Sequence, residues 1–384
     1  MDRALTHVWP KQPGVHHLAL GDDGRCKLAR AEAGLLVLWW RDRPVAQRWV
    51  DASGRLQEHV ERDLLALIAA EEEQAAPARL DTSVVVCTRD RPDELARCLA
   101  SLSRQTLRAR EVIVVDNASR DERTRDVVGA AGAIYLREDR PGLDIARNTG
   151  ARRATTNIVA YTDDDVLLHP AWLERMVAAF DAPEIAAVTG LVLPAELATE
   201  AQRHFETHWS FGRGFLRRDF EAQRFAAHRD GVFPVWEIGA GASMAFRREV
   251  FERAGGFDER LDVGQAGCAG DSVFWYRLLA HGLTYRYEPR AVAFHFHRRT
   301  LDGLARQIHD YMRGHAAALL VQWERTGNAA NRRQAWLTMP RWYAGRVWRC
   351  LRGERRPQDR FLREEVLGYL SGLAFYWRHR GARR

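Results

Sequence analysis

IVAYTDDDVLLHPAWL, residues 158–173, reads as an apolar strand over Ile158–Tyr161 that runs into three carboxylates, Asp163, Asp164 and Asp165. Past His169 and Pro170 a helix is expected over Ala171–Phe180. A buried strand, a polar turn at its carboxyl end and a helix make one step of a β–α repeat. The same pattern recurs upstream. Val84–Cys87 is an apolar strand, and Pro92-Asp-Glu94 opens a helix through Leu95, Leu99 and Leu102, with proline and acids where a helix start favours them. Val112–Val115 is a second strand, with a helix from about Asp121, and Ile134–Leu136 is a third. Ala186–Thr189 adds another strand downstream. The repeat predicts an α/β, Rossmann-like domain over residues 81–300, with a mostly parallel sheet and helices on both faces.

Open parallel sheets bind ligands at the carboxyl ends of their strands. The polar residues found there are Thr88-Arg-Asp90, Asp116-Asn117 and Asp163-Asp-Asp165. A dinucleotide-binding fold would place G-x-G-x-x-G after the first strand, and Cys87-Thr-Arg-Asp-Arg-Pro92 has no glycine, which excludes that reading. Clustered carboxylates on a tight strand exit suit a hard divalent cation, Mg²⁺ or Mn²⁺. Such a cluster taken alone is more often a cap or a solvated turn. Its place between an apolar strand and a helix favours the cation.

The flanks differ in character. Residues 1–80 form a small leading module: Leu35–Trp40 and Val45–Val50 suggest a hairpin around Arg41-Asp-Arg-Pro44, and Arg55–Ala76 looks helical, ending in a solvated run at Glu71–Glu73. Residues 301–384 turn helical and, from Arg332, basic, with Trp336, Trp342, Trp348 and Trp377. The chain has 46% hydrophobic residues, enough for a large core, so disorder is excluded as the default. Its formal charge is +7, carried by arginine, with lysine only at Lys11 and Lys27. Such a tail either packs on the domain as a helical cap or binds an anionic membrane surface. No nucleic-acid-binding motif accompanies the basic residues, so nucleic acid is not an expected partner. Five scattered cysteines without a CxxC pair argue against a disulfide framework and for a reducing compartment. The start lacks an apolar core, and the longest apolar stretch, Val366–Trp377, falls short of the ~20 residues a spanning helix needs. The expected location is cytoplasmic, with a peripheral place at the inner face of the membrane as an option.

Residues 82–297 resemble glycosyltransferase family 2, whose members adopt the GT-A fold. The segments that carry the resemblance are VVVCTRDRPDELARCLASL, VIVVDNAS, RPGLDIARNTGARRA, IVAYTDDDVLLHPAWL, GAGASMAFRREVFERAGGFDERL and GDSVFWYRLLAHG, six in the family's order. The resemblance implies an inverting, metal-dependent transfer of a single sugar from a nucleoside-diphosphate donor to a saccharide or lipid-linked acceptor, as in cell-surface polysaccharide or glycolipid assembly. It implies that Thr88 and Asp116 hold base and ribose, and that Arg147 and Asn148 border the diphosphate. Asp163 and Asp165 would form the family's DxD, with Asp164 able to replace either.

The segment Gly239–Met244, with Gly241, Ala242 and Ser243, would line the acceptor and donor-sugar side, or else form an ordinary tight turn. Asp271 matches the catalytic base, although an acid at a helix start also serves as an N-cap. Many members carry Glu-Asp at this point, where this chain has Gly270-Asp271. In AVAFHFH, residues 291–297, His295 and His297 share one face of a strand. A histidine here often completes the family's metal site, and His295 is the expected ligand. The competing reading is a nucleotide-sugar-binding or scaffold protein with a degenerate site. Intact Asp163, Asp165 and Asp271 argue against it.

Overall fold

The computed structural model describes residues 13–28, 32–51, 56–59, 62–73, 80–228, 231–261 and 266–380. The expected repeat is present and continuous: β6 (Thr82–Thr88), α2 (Pro92–Leu102), β7 (Glu111–Asn117), α3 (Arg123–Ala130), β8 (Ile134–Glu138), α4 (Leu143–Arg153), β9 (Ile158–Asp163), β10 (Val166–Leu168) and α5 (Trp172–Ala178). It goes on through β11 (Ile185–Pro194), α6 (Glu200–His208), β12 (Arg218–Phe220), α7 (Ala222–Ala227), β13 (Ser243–Arg247), α8 (Glu249–Ala254), α9 (Gly270–Ala280) and β14 (Thr284–His295). These strands form one nine-stranded sheet, ordered β10-β14-β11-β13-β9-β6-β7-β8, with β12 beside β14. β6, β7, β8, β9, β11 and β14 run one way, while β13, β10 and β12 oppose them.

Alternation along the strands feeds two cores. Val84, Val86 and Val114 pack under Leu95 and Leu99 of α2, Val128 of α3 and Trp172 and Met176 of α5. Val85, Val115 and Tyr161 face the other way, toward Ala146 of α4 and Phe274 of α9. Each such valine or leucine, fully buried, contributes about 1.5–3 kcal/mol over an exposed one. The exits of β6, β7 and β9 therefore cannot shift register without reversing an entire apolar face.

The leading segment holds β1 (Val15–Leu20), β2 (Arg25–Leu28), β3 (Gly34–Trp40), β4 (Arg43–Val50), β5 (Leu56–His59) and α1 (Arg62–Glu73). The expected hairpin is β3–β4, and β1 joins β3 in parallel. The expected long helix is corrected: Leu56–His59 pairs antiparallel with Arg25–Leu28 and the helix begins at Arg62, while Arg55 and residues 74–76 lie outside the described residues. Glu71 is not part of a solvated run either. It receives a hydrogen bond from Arg43, whose side chain is only 1% exposed, at 2.6 Å. The segment shares the main core through Val15, Leu35, Val37 and Trp39, and the Trp39 ring stacks on His169.

Beyond the sheet come α10 (Leu301–Thr326), α11 (Ala329–Arg333), a π-helical turn at Gln334–Thr338, α12 (Met339–Leu351) and α13 (Leu362–His379). Leu319, Leu320, Tyr369 and Leu373 close α13 onto α10, and Val273 of α9 joins them. The tail is thus a packed helical cap on its inner side. No helix among the described residues is long and apolar enough to cross a membrane.

Candidate active site

β9 carries its apolar face up to Tyr161 and ends at Asp163, leaving Asp164 and Asp165 to turn the chain into β10. β10 then pairs antiparallel with β14, Val166 opposite His295. This register lays the carboxylate turn against the end of β14, and Phe296 N donates to the Asp165 carbonyl at 3.0 Å. Ligand atoms of Asp163, Asp165 and His295 consequently lie within 4.8 Å of one another. Two carboxylates and an imidazole fit a divalent cation such as Mn²⁺ or Mg²⁺, whose oxygen and nitrogen donors they supply.

The three carboxylates differ in setting. Burial, opposed in part by Arg147, pushes Asp163 up to about 6, and burial with the neighbouring Asp165 charge pushes Asp164 up to about 7. For Asp165 burial acts in the same direction, but His295 and Arg91 outweigh it and hold its carboxyl below the usual range. Asp164 is not one of the three clustered ligands: it accepts from Thr88 Oγ1 at 2.8 Å and from Arg91 Nη1 at 3.0 Å. Arg91 also reaches Asp165 Oδ2 at 3.1 Å. Sequence reasoning missed Arg91, which precedes Pro92 and reads there only as the approach to a helix.

The exit of β7 is wired differently. Asp116 is fully buried and accepts from Tyr135 Oη at 2.8 Å and Arg137 Nη1 at 3.0 Å, two β8 residues that the sequence did not flag. Asn117 Oδ1 accepts from Gly142 N at 2.7 Å and so fixes the start of α4. On that helix Arg147 is buried: Nη1 donates to Asp144 at 3.1 Å and Nη2 lies 3.9 Å from Asp163. Asn148, one residue on, turns elsewhere. Its amide donates to Phe257 O at 3.0 Å and accepts from Phe257 N at 2.7 Å, so the structure does not bring it to the carboxylate turn.

Asp271 stands at the second residue of α9, whose N-cap position is Ala269, so it is not the N-cap. Its Oδ2 accepts from Gly241 N at 3.0 Å and its Oδ1 from Ser272 N at 2.7 Å. A Cβ at Gly241 would come within 2.6 Å of Asp271 Oδ2 and 2.8 Å of Arg147 Nη2. A side chain there would displace both charged groups, and the same contact shows Asp271 and Arg147 side by side. At Gly270 a Cβ would fall 1.8 Å from Asp144 Oδ2, so the Asp144 carboxyl fills the space a side chain at 270 would need. Ala242 is buried in the core, and Ser243 Oγ accepts from Trp172 Nε1 at 2.9 Å. Of the Gly241–Ser243 trio only Gly241 meets the site's charged groups.

Residues 83–255 match the family model described as glycosyl transferase family 2. Among relatives, the chain is 31% identical over 264 residues to the pre-mycofactocin glycosyltransferase of Mycobacterium tuberculosis, a match covering 67% of this chain and 51% of that protein. It is 28% identical over 196 residues to the glucosyl-dolichyl phosphate glucuronosyltransferase of Haloferax volcanii, covering 49% of this chain and 58% of that one. The chain thus spans about half the length of these curated relatives. Among solved structures, the mannosyltransferase of Pyrobaculum calidifontis in complex with GDP-Man and Mn²⁺ superposes with a TM-score of 0.50 at 19% identity, covering 81% of this chain and 94% of that one. That likeness shows the fold, which is of the GT-A type. By the domain match and these relatives, residues 83–255 form a glycosyltransferase family 2 domain.

Proposed function

We propose that the chain is an inverting, divalent-cation-dependent glycosyltransferase that moves one sugar from a nucleoside-diphosphate donor to an acceptor hydroxyl. The observation that carries this reading is the placement of Arg147, buried between Asp163 of the cation-binding turn and Asp271 of α9. A cation site and a carboxylate beyond it, joined by one fixed positive charge, suit a reaction that sheds a diphosphate on one side and accepts a proton on the other. Asp163, Asp165 and His295 would hold Mn²⁺ or Mg²⁺, and the bound cation supplies neutralisation of the diphosphate leaving group. Asp116, buried under Tyr135 and Arg137, and Thr88 at the neighbouring exit border the nucleoside. Arg147 places its charge beside the diphosphate without needing to move. Asp271 takes the proton of the attacking hydroxyl as the anomeric carbon is attacked from the face opposite the leaving group. One displacement of this kind inverts configuration.

The direct test is a thermal-shift screen of nucleotide sugars with and without Mn²⁺, followed by donor hydrolysis. A ligand at a hundredfold excess over its Kd stabilises the native state by about 2.7 kcal/mol. Asp163 and Asp164 also give the screen a pH signature. Their folded pKa values, about 6 and about 7, lie above the ordinary carboxylate value, so their contribution to stability is complete at low pH and lost as pH rises through 6–7. The cation-free protein should lose melting temperature between pH 5.5 and 8, while the Mn²⁺-induced shift grows over that window. A Mn²⁺ shift that is largest at pH 5.5 would contradict the carboxylate site.

The acceptor side extends this proposal to a cytoplasmic enzyme resting on the inner face of a membrane. Trp336, Leu337, Trp342, Trp348 and Leu351 are exposed around α12, and Leu367, Leu370 and Trp377 form an outward stripe on α13. Trp336 and Trp377 touch, with ring centroids 6.3 Å apart, so the two faces are continuous. Arg352 lies over Trp348 and Arg380 over Trp377. Exposed indoles and leucines among arginines fit the headgroup boundary of an anionic bilayer. Removing the tail after Asn331 would strip α13 from α10, so the test uses point substitutions on the outer face. Full-length protein should sediment with phosphatidylglycerol vesicles in low salt, and the Trp348→Glu/Leu351→Glu double variant several-fold less. Equal sedimentation of folded variant and parent would make the face a packing surface for something else.

A further inference from the structure

Behind the cation-binding turn, a buried chain of two polar groups that the proposed transfer does not use, Glu206 and His297, leads up to His295. Glu206 comes from α6, ninety-one residues before His297 in sequence, and is 6% exposed; His297 is 3% exposed and His295 8%. His297 Nε2 lies 3.1 Å from Glu206 Oε2, and His297 Nδ1 lies 3.0 Å from His295 Nδ1. The other end, His295 Nε2, is 3.4 Å from Asp165 Oδ1. The rings are wedged in place: Phe205 packs on His297 and Phe211 against both histidines. Glu206 is itself anchored, its second oxygen accepting from Ser210 Oγ at 2.8 Å. Gln202, in the capping box that starts α6, donates to the His297 carbonyl at 3.3 Å.

The order of donors and acceptors along this chain follows from its end. An ionised carboxylate only accepts, so the proton between Glu206 and His297 sits on His297 Nε2. With one ring proton, His297 then has a bare Nδ1, which must accept from Nδ1–H of His295. That leaves His295 Nε2 as a lone pair turned toward Asp165 and Asp163. We infer that Glu206 and His297 are positioning residues that make His295 a metal ligand, by fixing both its ring plane and which of its nitrogens stays bare. This inference rests on the cation reading of Asp163, Asp165 and His295.

Mn²⁺ binding to the full chain without nucleotide tests it, with affinity read by continuous-wave electron paramagnetic resonance and the imidazole ligand read by pulsed ¹⁴N modulation. His297→Phe keeps a ring in the aromatic pocket but removes the acceptor for His295 Nδ1–H. It should raise the Mn²⁺ Kd ~10–100-fold and lose the nitrogen modulation, as second-shell losses at such sites do. Glu206→Leu should do the same. Glu206→Gln, whose amide oxygen can still accept from His297 while its NH₂ faces Ser210, should recover most of that affinity. A role confined to packing would make the leucine variant the milder of the two at position 206, since it keeps bulk and removes a buried polar group. Parent protein that binds Mn²⁺ without nitrogen modulation would overturn the assignment of the cation site. Parent protein with that modulation, retained unchanged in His297→Phe, would overturn the positioning role alone. Should His297→Phe fail to fold, the two variants at 206 decide, and equal losses in both would count against the inference.

Discussion

Asp165→Ala is expected to abolish donor hydrolysis and sugar transfer, to the level that excess EDTA produces in the parent protein, without unfolding the chain. Asp165 is the carboxylate in the turn most ready to bind a cation, because its carboxyl is held below the usual range against burial, with Arg91 Nη1 3.1 Å away. Asp163 and Asp164, raised to about 6 and about 7, give up their protons only near neutrality. Losing Asp165 therefore removes the strongest donor and leaves His295 without its nearest carboxylate. The fold should survive for a reason visible in the backbone: the Asp165 carbonyl, not its side chain, accepts from Phe296 N and ties the turn to β14. Deleting Asp165 removes its 3.1 Å contact with Arg91 but also relieves repulsion on Asp163 and Asp164, so the cation-free variant should melt within a few degrees of the parent. Activity should fall by roughly 10³-fold or more, since loss of the cation removes charge neutralisation of the leaving group. Full activity of the parent in excess EDTA would end the cation reading, and hydrolysis by Asp165→Ala at the parental rate would move the site elsewhere.

How far the sequence foretold this site depends on how far apart its parts lie in the chain. β6, β7 and β9 were legible because each is an unbroken apolar run closed by a polar exit, the pattern of a strand buried on both faces. The strand read at Ala291 in fact begins at Thr284. Arg286, Glu288 and Arg290 disguise its first half, for they are buried charges neutralised by one another and by Asp181, Asp219 and Arg217. Such pairing is a tertiary fact with no periodic trace. Leu56–His59 was hidden for a related reason, since its strand character exists only through its pairing with Arg25–Leu28. Within the site, Asp163, Asp165 and Asp271 stood in recognisable segments, and His295 was reachable from the alternation of AVAFHFH. Arg91, Tyr135, Arg137 and Glu206 were not, because each acquires its role by touching a residue on another element. Asn148 shows the converse. It sits in a matching segment, yet its amide is spent on Phe257.

The same distinction between a position in a motif and a contact in space bears on Asp271, where a substitution of one atom type is expected to separate chemistry from structure. Asp271→Asn should lower the transfer rate by roughly 10²-fold or more while leaving donor affinity within a few-fold of the parent. The capping explanation for an acid at this point fails on geometry, since Ala269 holds the N-cap and Asp271 reaches instead to Gly241 N and Ser272 N. Each carboxylate oxygen has a lone pair beyond the one engaged, so the group can hold the loop and still receive a proton. Asparagine keeps one of the two acceptors and turns its NH₂ toward the other backbone N–H. The structural cost of that mismatch is about 1–3 kcal/mol for a buried donor left unpaired, and less here, because Asp271 is only half-buried. A loss of that size shows in the melting temperature and can be measured apart from the rate. Donor binding should persist because Asp163, Asp165 and Asp116 lie on strand exits that Asp271 does not support. Asp271→Glu is the companion variant: it restores a proton acceptor but overreaches the Gly241 contact, so it should recover part of the rate at a similar melting temperature. Near-parental transfer by a folded Asp271→Asn protein would reduce Asp271 to a brace between α9 and the Gly241 loop. The base would then have to be another group reaching the same space, and Asp144, paired with Arg147 beneath Gly270, is a carboxylate to examine.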